Sequence, residues 1–204
     1  SQHLVDIINQ TDNVESLDGE DKLGQPMVHY SYFNDYGTFE AFVLPYFRER
    51  SFEGKNGRLT GGFVVDNEQA AYESSSEQSH VDLAARISNT IGDWSLGLSW
   101  FSGTSREPDL LSLANFETGS TTPFYPQIKQ IGADVQLTSD VWLVKLEAIQ
   151  RHYDNQYYQD FTAATVGLEY TLVGLFDSNY DLGLLGEYSW DERGELATSL
   201  FQND

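Results

Sequence analysis

The chain has no cysteine. A disulfide framework, a thiolate zinc site and a cysteine nucleophile are therefore excluded, and residue usage alone does not choose between a reducing and an oxidising compartment. Basic residues are scarce: 11 Lys and Arg stand against 32 Asp and Glu, for a formal net charge of -21 at pH 7. A field of that sign repels phosphate backbones, which argues against nucleic acid as a partner. Long apolar runs are missing as well. Nowhere do about 18 consecutive apolar residues occur, so no transmembrane helix is encoded, and the residues after Ser1 lack a basic-then-apolar leader pattern. His3, His29, His80 and His152 share no HxxxH or HExxH spacing, and there is no glycine-rich phosphate loop. No cofactor is expected.

What is present is aromatic and apolar. Hydrophobic residues make up 40% and aromatics 14% of 204 residues, enough for one core and not for an argument in favour of two domains. From residue 28 onward the apolar residues recur at every second position and fall into hairpins around turns rich in Asn, Asp, Gly and Ser. "MVHYSYF" leads through "NDYG" into "TFEAFVLPYFRER", and "HVDLAARIS" through "NTIGD" into "WSLGLSWFSG". "IKQIGADVQL" leads through "TSD" into "VWLVKLEAIQRHY", and "QDFTAATVGLEYTLVGLF" through "DSNY" into "DLGLLGEYSW". Four hairpins, or about eight strands, follow. Residues 1–27 read as a polar loop segment, 28–190 as the strands with their loops, and 191–204 as a further loop. The links at 49–79 and about 103–126 read as long and polar, whereas 154–159 is short, so one end carries tight turns and the other mostly long loops.

Sorting the strands by parity separates two faces. Leu83, Ala85, Ile87, Trp94, Leu96, Leu98, Trp100, Trp142, Val144, Leu146, Val166, Leu168, Tyr170, Leu182, Leu184, Tyr188 and Trp190 collect on one. Asp82, Arg86, Ser95, Gly97, Ser99, Lys145, Glu147, Thr165, Gly167, Glu169, Asp181, Gly183 and Glu187 collect on the other. Such alternation fits a soluble barrel or sandwich with an apolar core, or an inverted membrane barrel with apolar residues toward lipid and a wet interior. Periodicity cannot choose between them. The strands exceed the usual soluble length of about 5 to 6 residues and suit the roughly 9 to 11 that span a bilayer. Trp94 and Trp100, six residues apart on one face, and Trp142, Tyr170, Tyr188 and Trp190 near strand ends suit a headgroup girdle, although aromatics favour strands anyway. A Lys facing the bilayer midplane costs roughly 2 to 4 kcal/mol, so in a membrane Lys145 and Glu147 face the interior and Trp142 and Leu146 the acyl chains. The expected fold is all-β, an antiparallel up-and-down transmembrane β-barrel with about eight strands in this chain.

Antiparallel hairpins, acidic long loops, no Cys and low pI resemble Gram-negative outer-membrane β-barrels of the porin type. More narrowly, "DIINQTDNVESLDGEDKLGQP" followed by "LPYFRER" resembles proteobacterial porin-like barrels related in style to alginate-export channels. That resemblance implies residence in the outer membrane, contact with its lipid and lipopolysaccharide, and passive diffusion of a small polar solute without covalent chemistry; a homo-oligomer is compatible with it. Such proteins begin with a signal peptide and end on an aromatic-terminated strand, whereas this sequence runs from Ser1 to "LATSLFQND", so a piece of a larger barrel is expected.

The candidate pore-lining residues are Glu40, Arg48, Asp82, Arg86, Asp134, Lys145, Glu147, Glu169, Asp181 and Glu187, and the candidate lipid-facing residues are Trp94, Trp100, Trp142, Leu146, Tyr170 and Tyr188. The acids favour cations if they face a lumen, or pair with Arg86 and Lys145 as structural ion pairs. Arg48, Arg50, Lys55 and Arg58 form either an anion-attracting rung or a cluster neutralised by Glu49 and Glu53. "DNVESLDGEDK" offers carboxylates to Ca²⁺ but fails the EF-hand spacing and reads as solvated loop. No metal site is expected. A soluble lipocalin-like ligand-binding module is the first alternative, and a barrel-borne hydrolase using His152 beside Asp154 with a loop serine is the second.

Overall fold

A computed structural model describes residues 6–11, 22–52, 64–110, 114–115, 119–174 and 180–194. Eight long strands dominate: β1 (Val28–Asn34), β2 (Gly37–Leu44), β3 (Asp82–Ile91), β4 (Trp94–Thr104), β5 (Gln127–Thr138), β6 (Trp142–Tyr153), β7 (Phe161–Leu172) and β8 (Leu182–Asp191). Each pairs antiparallel with its neighbours in the chain, in the order β1 to β8. Among the described residues there is no α-helix, only two 3-10 turns. The expected all-β up-and-down order is present, but among the described residues the sheet is not closed as a barrel and β1 and β8 are its edges.

Local chemistry accounts for the hairpins. Asn34 pairs with Gly37 across Asp35 and Tyr36, and the Asn34 side-chain oxygen accepts the Tyr36 N–H at 2.8 Å. Ile91 pairs with Trp94 around Gly92–Asp93, and Gly92 takes the left-handed backbone that such a two-residue turn requires, at φ 58°. Strand β2 ends at Leu44, short of the expected Arg50, because Pro45 has no N–H for the ladder. The six strands β3 to β8 are 10 to 12 residues long.

Register converts the alternation into two distinct surfaces. One row crosses all eight strands as Tyr32, Phe39, Ile87, Leu98, Ala133, Ala148, Ala164 and Trp190, every member apolar or aromatic. The next row on the opposite face reads Phe33, Thr38, Ser88, Gly97, Asp134, Glu147, Thr165 and Ser189. The apolar face is the bare one: Ile87 is 57% exposed, Leu98 60% and Ile131 58%. Buried side chains sit on the other face, toward the end with the long connections. There Ile7, Ala84, Phe101 and Ile128 pack together, and Ile149, Phe161 and Ala163 form a second cluster.

Two expectations about the connections are corrected. The links between β2 and β3 and between β4 and β5 are not plain polar loops, because Val64–Val65 runs parallel to Ser120–Thr121 and Ala71–Tyr72 parallel to Phe124–Tyr125. Aromatic residues drive this: Phe47 is buried edge-on to Tyr125 at 4.9 Å between centroids, and Tyr72 stacks on Tyr125 at 5.5 Å. Nor is the N-terminal segment merely polar loop. Gln10–Thr11 pairs with Lys22–Leu23, while Ile7 is buried against the sheet.

Candidate functional site

The inner, charged face is the candidate site. At its centre Arg86 of β3 reaches across β4 to Asp134 of β5, with Nη1 to Oδ1 at 2.7 Å and Nη2 donating to Oδ2 at 2.9 Å. The charge-assisted hydrogen bond from Nη2 is stronger than a neutral one, and the close approach of Nη1 adds to the attraction between the two charges. Gly97 makes it sterically feasible, since a Cβ there would lie 2.3 Å from Arg86 Nη2 and 2.5 Å from Asp134 Oδ1. Glu40 stands opposite Arg86 in register, its Oε1 lying 3.0 Å from His29 Nε2, and Glu147 stands opposite Asp134. Lys145 faces Gln136 and Gly167 one row on. Against this centre lies a cleft of about 430 Å³, walled on the far side by Asp6, Ile7 and Ile8.

Toward the long connections the charges are paired, and Asp82, Arg106 and Arg151 among them are buried. Asp82 is fully buried; its Oδ2 accepts from Arg106 Nη1 at 2.6 Å, and its Oδ1 accepts from the Thr104 N–H at 3.0 Å and lies 2.8 Å from His80 Nδ1. The carboxylate occupies the space over Gly103, where a Cβ would come within 2.2 Å of it. The Arg106 guanidinium lies between the Phe47 and Phe101 rings, 5.2 and 5.1 Å from their centroids, and burial lowers its pKa despite Asp82. Arg151, also buried, donates to Gln130 Oε1 at 2.9 Å and to Glu107 Oε2 at 2.8 Å. Arg151 first, then Arg50 and Arg193, outweigh desolvation and hold Glu107 below the usual carboxylate range. Arg193 covers the Phe161 ring at 3.6 Å and pairs with Asp191 at 2.5 Å. Behind them Tyr72 donates to Glu49, and burial followed by that carboxylate pushes the phenol pKa upward.

The residues singled out in the sequence thus scatter over several environments. Arg86, Asp134 and Glu147 meet at the centre of the inner face, with Glu40 in register on β2 and Lys145 one row away. Glu169 and Glu187 lie on the same face nearer the tight turns, Glu187 on the exposed edge strand. Asp82 shares the face but is closed off by Arg106. Arg48 sits in the connection after β2, where it donates to Gly24 O at 3.2 Å; Asp181 precedes β8 and accepts the Gly174 N–H at 2.9 Å, capping a turn. Trp94, Trp100, Trp142, Leu146 and Tyr188 are exposed on the outer face, and the Tyr170 ring packs against Trp142 at 4.2 Å between centroids, tilted by 37°. Lys55, Arg58, His3 and most of "DNVESLDGEDK" lie outside the described residues. His152 pairs with Asp160 at 2.5 Å, whereas Asp154 takes Lys129 at 2.8 Å.

Sequence reasoning overlooked Ile7, Arg106, Glu107 and Arg151. The readable signal was glycine on the inner parity of β4, Gly97 and Gly103, which marks places where a neighbour's side chain must cross. Comparison with protein-family models, curated proteins and solved structures yields no match.

Proposed function

We propose that the chain forms the wall of a porin-like channel in a bacterial outer membrane, through which small polar solutes diffuse passively. The observation that carries this reading is the inversion of ordinary burial: the stripe of Leu, Ile, Val and Trp is the exposed face, and charged side chains meet on the opposite one, where the buried clusters also lie. Water would penalise an apolar surface spanning eight strands, whereas lipid welcomes it. A soluble lipocalin-like module requires the same stripe to meet in a dry centre, and here it does not.

The reading demands more strands than eight. In hydrocarbon an unpaired sheet edge leaves N–H and C=O groups unsatisfied at several kcal/mol each, so the outer edges of β1 and β8 must be covered. Joining β1 to β8 would make an eight-stranded ring with room for little beyond its own side chains. The inner face already holds Ile7 and its neighbours, so a wider ring is required. On that face Glu40, Asp134, Glu147, Glu169 and Glu187 stand against Arg86 and Lys145, which favours cations.

Detergent extraction followed by electrophoresis with and without heating, then conductance across planar bilayers under a KCl gradient, tests the proposal. A heat-modifiable band and a cation-selective reversal potential are expected. A chain that stays soluble without detergent and carries no current refutes it.

A further inference from the structure

We infer that residues 6–10 form an internal constriction that sets the conductance and part of the charge preference of the passage, held in place by Arg106; this rests on the channel reading above. The segment enters the inner face where a lumen would run. Ile7 is buried among Ala84, Phe101 and Ile128, which belong to three different strands of the wall. The next residue is tied by its backbone, since Ile8 O accepts from Arg106 Nε at 3.3 Å. The Gln10 side chain is fully buried and donates from Nε2 to Arg48 O at 3.3 Å, and pairing of Gln10–Thr11 with Lys22–Leu23 braces the segment from behind.

Arg106 can act as a fastener because its other contacts are rigid. Its Nη1 donates to Asp82 Oδ2 and Thr104 O, and its plane is clamped by Phe47 and Phe101. One guanidinium therefore couples the wall, through Asp82 and Thr104, to the segment, through Ile8. The 430 Å³ cleft is the space left between that segment and the Arg86–Asp134 pair. A solute travelling along the inner face from the long connections to the tight turns passes between Ile7–Ile8 and this pair. Asp6 adds a carboxylate to the narrow point. An ordinary brace would need the buried Ile7 but would gain nothing from an acid facing the cleft.

Single-channel conductance of the complete pore, the wider ring of which these eight strands are part, tests the inference, with wild type measured beside Ile7→Asp and Ile7→Leu. An aspartate in the Ile7 cluster expels the segment, so unit conductance should rise at least twofold, whereas Ile7→Leu keeps the wild-type value. Asp6→Asn should move the reversal potential toward zero at nearly unchanged conductance. Because the chain has no cysteine of its own, an Ile7→Cys, Ala84→Cys pair provides a control that does not depend on tolerating a buried charge: oxidation pins the segment where it already lies, so the cross-linked form should keep the wild-type conductance. A folded Ile7→Asp protein with wild-type conductance, or a cross-linked form that conducts as much as Ile7→Asp, overturns the constriction and leaves the channel intact. Current from the Ile7→Asp protein alone supports a complete block, and silence of every form removes the channel reading and the constriction together.

Discussion

Replacing Gly103 by alanine tests how tightly the inner face is built. An ideal Cβ at this position lies 2.2 Å from Asp82 Oδ1, 2.3 Å from its Cγ and 2.6 Å from its Cβ, well inside contact distance. Asp82 has nowhere to go, because its side chain is 1% exposed and is held by Arg106 at 2.6 Å and by the Thr104 N–H at 3.0 Å. Any retreat breaks one of these bonds and leaves a buried charge without its partner, a loss of about 3 to 5 kcal/mol. The restricted unfolded chain of an alanine variant offsets about 0.4 to 1 kcal/mol, so a net destabilisation of roughly 2 to 4 kcal/mol is expected. Urea unfolding followed by the fluorescence of the four tryptophans measures it. With a slope of about 2 kcal/mol per molar, the midpoint should fall by roughly 1 to 2 M. Gly183→Ala is the control, since a Cβ there meets nothing within 4 Å, and it should stay within about 0.5 kcal/mol of wild type. Asp82→Asn added to Gly103→Ala should cost far less than the two separate losses together, because both act on one network. If the midpoint of Gly103→Ala moves no further than that of the control, the packing of Asp82 over Gly103 has been misjudged.

Leu146 lies between Val135 and Val166 on the outer face. At a bilayer midplane Leu146→Arg should cost roughly 2 to 4 kcal/mol and abolish the heat-modifiable band, with Leu146→Val unaffected; equal tolerance of both would place this face out of lipid. Glu147→Gln should leave folding intact and shift the reversal potential toward zero, as removal of one inner carboxylate requires; an unchanged potential would take Glu147 out of the permeation path. The lowered pKa of Glu107, due first to Arg151, means that the unfolded chain binds its proton first as pH falls. The stabilisation is therefore present above the unfolded value of about 4.3 and is lost as pH drops through the lower folded value. Denaturation midpoints of Glu107→Gln between about pH 5 and pH 3 should fall less steeply than those of wild type, and parallel curves would exclude this coupling.

Alternation along an extended chain is a local property, and for that reason the order of residues alone was enough to place Trp142, Leu146 and Val166 on one face and Lys145, Glu147 and Thr165 on the other. Turn chemistry is local too, so the hairpins around Gly92–Asp93 and Asp35–Tyr36 were legible. What the polar face holds was not, because it depends on residues distant in the chain: Arg106 meets Ile8 from 98 positions away, and Ile7 finds Phe101 and Ile128. The same holds for the connections, whose aromatics Phe47, Tyr72 and Tyr125 meet only once strands far apart in sequence are aligned. Periodicity likewise left open which face would be bare, since two-fold alternation is symmetric between a dry core and a wet one. Only the tertiary structure broke that symmetry, by laying chain segments and ion pairs on the polar side of the sheet and, among the described residues, nothing on the apolar side.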